Sequence, residues 1–206
     1  MKITKSLLFS LFLLFAFQSA KTQSPSKNLF VQIDVSKSGD EIVRYGRIVY
    51  DEDYRAKRQY FEGDDSKAMF LDTLTNDLST LPEAKRNTLF YIHGMWAYKW
   101  SFLKGNLKKM QADLWANKPN PNGMIVTIIW HCKVVYGENK EMALKSGKIL
   151  SPLVRQIHDI TAKSSESAHT NYMIHSMGHR VFQEIWNGHL QEDMNYKANN
   201  LSLIQI

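Results

Sequence analysis

Hydrophobic and polar residues follow two periods along this chain, and the switches between them mark its elements. Leu29-Phe30-Val31-Gln32-Ile33-Asp34-Val35 is strand-like, and Glu41 to Tyr50 carries a second extended stretch, with Lys37-Ser38-Gly39-Asp40 as the turn between them. Residues 51–86 are charged and hard to read, except that Met69, Phe70, Leu74 and Leu78 suit a helix over Ser66–Leu81 ending near Pro82. From Asn87 onward the pattern becomes regular. Thr88-Leu89-Phe90-Tyr91-Ile92 is a short apolar run stopped by His93-Gly94, and Leu103, Leu107, Met110 and Leu114 give Trp100–Trp115 helical spacing. After the turn Asn120-Pro121-Asn122-Gly123 comes the β-branched run Met124–Trp130. A long helix over about Asn139–Ala162 follows, with a break expected at Pro152. Then come a strand Asn171–His175, a helix Met177–Gly188 and a last apolar run Leu201–Ile206. Apolar strands alternating with helices predict an α/β fold, a mostly parallel sheet covered by helices on both faces.

Composition agrees with that class. With 206 residues, 44% hydrophobic and 22% charged, the chain has enough apolar material for one sizeable core. Its 10 Gly, 5 Pro and single Cys exclude collagen-like, low-complexity and disulfide-stapled classes. Residues 1–20 carry Lys2 and Lys5, an apolar run Leu7–Phe17 and the small pair Ser19-Ala20, the order of a signal peptide for export. The alternative is an uncleaved membrane anchor, since Gln18 stands where a small residue is preferred, but the run is short for a span. Residues 21–28 read as a polar linker, leaving 29–206 as the folded domain.

Setting aside the two lysines of the leader leaves 24 basic and 20 acidic residues. The excess is mild, and Lys104, Lys108 and Lys109 lie on a helix face without interleaved stacking aromatics, so a nucleic-acid partner is not expected. Cys132 has no partner for an intramolecular disulfide and reads as a buried thiol.

Chemistry collects where parallel strands end at their carboxyl edge. Two strand ends stand out here: Tyr91-Ile92-His93-Gly94-Met95-Trp96, and Tyr172-Met173-Ile174-His175-Ser176-Met177-Gly178-His179-Arg180. In the first, Gly94 permits a sharp turn that leaves backbone N–H groups open to an anion. In the second, a serine sits between a strand and a helix whose N-terminus favours negative charge.

With these motifs, over about Thr88–Ile206, the chain resembles the α/β-hydrolase superfamily, within it the bacterial esterase-like and lipase-like group with a His-Ser-Met-Gly elbow. The resemblance rests on His93-Gly94, on Ile128-Ile129-Trp130 closing the following strand, and on Ile174–Val181. It implies Ser176 as nucleophile, the backbone N–H groups of Met177 and Met95 as oxyanion hole with Gly94 in the turn, a small-molecule or lipid ester substrate, and no metal or cofactor. The elbow departs from G-x-S-x-G at Ile174, where a β-branched side chain is expected to make the strained turn harder to form.

The catalytic acid and base are not identified. Only 30 residues follow Ser176, and of Glu184, Glu192, Asp193, His179, His189 and the preceding His175, none stands where the family places its partners. Leu201–Ile206 reads as a sixth strand, so the chain is expected to be a hydrolase-like domain lacking its C-terminal part, with weak or absent activity over these 206 residues. The rival reading is a non-catalytic binding protein on the same scaffold; a fragment without a stable fold is a third. Trp96, Trp100 and Trp115 read as core before acyl pocket, and His93 as a turn residue before metal ligand. His131 with Cys132 is not expected to form a catalytic pair, because adjacent strand residues point to opposite faces; Asp113 and Glu138 show no constellation.

Overall fold

The computed structural model describes residues 28–35, 40–50, 56–95, 100–115, 123–133, 136–190 and 198–204; at 35, within 108–115, at 136, and within 189–190 and 198–204 only the backbone is described. The leader, most of the linker, the Lys37–Gly39 turn, Trp96, Glu192 and Asp193 lie outside the described residues. Asn28, read as linker, begins the first strand.

Among the described residues seven strands form one mixed, mostly parallel sheet: β1 (Asn28–Val35), β2 (Glu41–Tyr50), β3 (Ala56–Tyr60), β4 (Thr88–Ile92), β5 (Met124–Trp130), β6 (Thr170–His175) and β7 (Ala198–Ile204). Their spatial order is β3-β2-β1-β5-β4-β6-β7. β1 pairs antiparallel with β2, and β2 with β3; β1, β5, β4, β6 and β7 are parallel. The sequence reading counted six strands because β3, Ala-Lys-Arg-Gln-Tyr, has no apolar alternation. It is an edge strand, and charged side chains on an edge discourage further pairing.

Among the described residues four α-helices connect the strands: α1 (Ser66–Ser79), α2 (Trp100–Trp115), α3 (Tyr136–Ser164) and α4 (Gly178–Ile185), the last running into a π-turn over Trp186–Leu190. On one sheet face, Phe70, Leu74 and Leu78 of α1, Leu150, Val154 and Ile157 of α3, and Val181 and Ile185 of α4 pack on Val31, Phe90, Ile92, Val126, Ile128 and Ile174. On the other, Leu103 and Leu107 of α2 pack on Phe30, Ile48, Tyr91, Ile125 and Ile129. β5 is buried along its whole length, as a strand covered on both faces must be. Among the described residues no helix is long and apolar enough to cross a membrane.

α3 continues through Pro152, where a break was expected. The ring lies on the exposed side of the helix, while Leu150, Leu153, Val154 and Ile157 are buried on the other. Burying each such side chain is worth about 1.5–3 kcal/mol, so together they outweigh the roughly 3 kcal/mol that an interior proline costs. Replacing Pro152 by Ala therefore raises stability by about 1–3 kcal/mol, read as a higher urea midpoint with an unchanged slope.

Candidate functional site

The chain path decides where the sheet opens. From β3 to β4, from β5 to β6 and from β6 to β7 the chain moves in one direction along the strand order, and α1, α3 and α4 all lie on one face. From β4 to β5 it steps backward, and α2 lies on the opposite face. Crossovers of one handedness require this reversal. The connection leaving β4 thus departs to the opposite face from those leaving its neighbours β5 and β6. That divergence at the carboxyl edge is a topological switch point, where open α/β sheets bind ligands.

His93-Gly94 and His175-Ser176 meet there. Ser176, between β6 and α4, has φ +48°, and it is the one non-glycine with positive φ among the described residues. Such backbone is disfavoured by about 1–2 kcal/mol for an L-residue, so its surroundings must hold it. Two glycines allow the approach that does so. A Cβ on Gly178 would stand 2.7 Å from Ile92 O and 2.8 Å from His93 O, so the first turn of α4 is pressed against the end of β4. A Cβ on Gly94 would stand 2.6 Å from His175 Nδ1 and 2.8 Å from Ser176 Cβ. Ile174 does not prevent the turn, because its side chain points into the three-helix core, where it is buried.

The loop after β4 is fixed by His93, which is fully buried. Its Nε2 accepts the Trp130 backbone N–H at 3.2 Å, so in the neutral ring the proton sits on Nδ1 and is donated to Gly94 O at 2.6 Å. The Trp130 indole N–H donates to His93 O at 2.8 Å, and the two rings stack with centroids 5.6 Å apart. Burial, aided by the nearby His175, pushes the His93 pKa down to about 4 against its hydrogen bonds to Gly94 and Trp130. Two residues after Trp130, the Cys132 thiol, buried as the sequence indicated, donates to Met95 O at 2.7 Å. Met95 itself packs against the three-helix core. Met177, which begins the turn into α4, has a buried side chain, and its N–H precedes the first helical acceptor.

The other sequence candidates are dispersed. His179 is exposed, and its Nδ1 donates to Ser176 O at 2.8 Å, a main-chain contact that leaves the ring off Ser176 Oγ. His175 Nδ1 is buried and without a hydrogen-bond partner. Glu184 lies on α4 where it packs toward Gly147 of α3, on the core side. Trp100 is half-buried against the α2-side core; His189 and Trp115 are placed by backbone only. Glu138 pairs with Lys133 at 2.7 Å on the surface. Ser176 Oγ makes no hydrogen bond among the described residues. Among them, too, no cluster of three His, Cys, Asp or Glu is arranged to hold a metal.

Sequence reasoning missed His158, a second buried histidine that contacts Tyr172 OH and stacks near Phe90 with centroids 6.0 Å apart. Its helical spacing marked the position, but polarity argued against burial there. Desolvation pushes its pKa down to about 4, against the nearby Asp159.

Searches against family models, curated proteins and solved structures give no match to the chain.

Two outcomes are expected. Gly178→Ala forces α4 off the end of β4 and destabilises the protein by about 1–3 kcal/mol, measured by urea unfolding. His93 and His158 are neutral when folded and titrate near 6.5 when unfolded, so their stabilising contribution is complete above pH 6.5 and is lost as pH falls through about 4. Each contributes up to about 3 kcal/mol to that loss, and His158→Gln flattens the acid limb of a stability–pH profile.

Proposed function

We propose that the chain is a serine hydrolase-like protein with an α/β-hydrolase-like fold, acting on a small-molecule or lipid ester by acyl transfer through Ser176. The observation that carries this reading is the left-handed serine at the end of β6, packed against Gly94 at the switch point. A serine held in that geometry has its Oγ thrust out ahead of the helix N-terminus. Oγ attacks the acyl carbon, its proton passes to a general base, and the alcohol leaves with a proton in turn. Water then cleaves the acyl-serine and restores the free hydroxyl.

The developing oxyanion takes hydrogen bonds from the backbone N–H groups of Met177 and Met95. The Met95 donor follows from His93. With Gly94 O held by the His93 ring, the trans peptide turns the Met95 N–H to the opposite side, away from that ring. The buried, neutral histidine thus sets a peptide plane and leaves proton transfer to another group. The charged, apolar and small-residue order of residues 1–20 supports export of this activity from the cytoplasm.

One observation favours a second reading, a non-catalytic binder on the same scaffold: no described histidine or carboxylate bonds Ser176 Oγ. Without a base, turnover of an activated ester by the 206-residue chain is expected at no more than roughly 10³–10⁴ over water. A fluorophosphonate probe separates the two. Slow covalent labelling mapped to Ser176 and abolished in Ser176→Ala supports the acyl-transfer reading. Unlabelled protein, or equal labelling of the alanine variant, overturns it in favour of the binder.

A further inference from the structure

A polar and aromatic cluster stands on the α2 face of β1, β2 and β3, away from the Ser176 junction. Its centre is Gln32, 8% exposed. Gln32 Nε2 donates to both oxygens of Asp34 at 2.9 and 2.8 Å, and Arg44 Nη1 lies 3.3 Å from Asp34 Oδ2. On its other side, Gln32 Oε1 accepts from Arg58 Nη1 at 2.6 Å and from Tyr60 OH at 2.9 Å. The amide therefore stands between Asp34 and Arg58, where a direct ion pair would otherwise form.

Two guanidiniums thus share one carboxylate, and Arg44 takes it. Arg58 has no acidic partner among the described residues. Its guanidinium carbon lies 4.7 Å from the Trp100 ring centroid and 5.7 Å from that of Tyr60. Those rings hold the guanidinium in place by cation–π attraction without neutralising it. A guanidinium has five N–H donors in a fixed fork, and Gln32 takes one of them. Among the described residues the remainder is a preset, half-buried cation with unmet donors, the arrangement that matches carboxylate or phosphate oxygens.

We propose that Arg58, flanked by Trp100 and Tyr60, binds the carboxylate or phosphate oxygens of a small anionic ligand. Gln32 lies three strands from β6, roughly 14 Å at ordinary strand spacing, so a small anion held here is clear of the bond broken at Ser176. The site stands whether or not Ser176 reacts. Arg58 supplies the charge, since Arg44 is paired with Asp34, and Gln32 fixes the direction of the fork.

The test is an NMR titration of the full chain with sodium succinate and, separately, with inorganic phosphate, at an ionic strength held constant with sodium chloride. The reporters are the Arg58 Nε–H and Trp100 indole N–H resonances. Saturable shifts with succinate alone identify a carboxylate site, with phosphate alone a phosphate site, and with both a general oxyanion site; each supports the proposal. Arg58→Lys keeps the charge but loses the fork, and is expected to weaken binding at least tenfold, while Arg58→Gln abolishes it. Shifts that stay linear and match those from chloride overturn the proposal, as does undiminished saturation at Trp100 in Arg58→Lys. A cooperative melt of each variant confirms folding, and Arg58→Lys alone carries the comparison if Arg58→Gln unfolds.

Discussion

The handedness of crossover connections organises this molecule. Three crossovers run forward along the sheet and bury their helices on one face, so the single backward step, from β4 to β5, must send α2 to the other. The two cores differ accordingly: among the described residues three helices cover one face and one helix covers the other. The same step parts the connections beside β4 and opens the carboxyl edge where Gly94 and Ser176 meet. The position of the candidate site is thus a property of chain path before it is a property of any side chain.

Local chemistry then holds the opened edge rigid. Glycine at 94 and 178 lets β4, β6 and α4 approach more closely than any Cβ would permit, and that approach holds Ser176 in backbone it would otherwise avoid. His93 contributes a different kind of constraint. Both ring nitrogens and its carbonyl are bonded within Gly94 and Trp130, so the turn after β4 is tied to the end of β5. Cys132 adds a bond from the residues just after β5 to Met95. The turn after β4 tolerates little adjustment, because the His93 ring, the His93 carbonyl and the Cys132 thiol are each buried with a partner.

Much of this was legible in the sequence wherever one stretch carried a single period. Trp100–Trp115 and Met124–Trp130 have the limits their spacing indicated, and the His-Gly and Ile-His-Ser-Met-Gly strings marked the two strand ends that meet. β3 was hidden because its inward residues are Ala56, Arg58 and Tyr60, and a cation in that series erases the alternation. Pro152 misled because local propensity says nothing of a buried stripe on the far side of a helix. Ile174 misled for a related reason: crowding at the elbow falls on Gly94 and Gly178, while the isoleucine has the core to fill. The Arg58 cluster was unreadable, since its members lie at positions 32, 34, 44, 58, 60 and 100 and only the sheet brings them together.

The left-handed turn at Ser176 also limits which side chains evolution can offer there. Positive φ disfavours β-branched residues on steric grounds, and the close approach of Gly94 to Ser176 Cβ adds to the crowding on that side. Threonine, an alcohol of nearly the same acidity, is therefore a poor substitute for serine at this place. Side chains with an unbranched first carbon suit this backbone, so serine, cysteine or aspartate can stand here where threonine is disfavoured, before any question of reactivity arises.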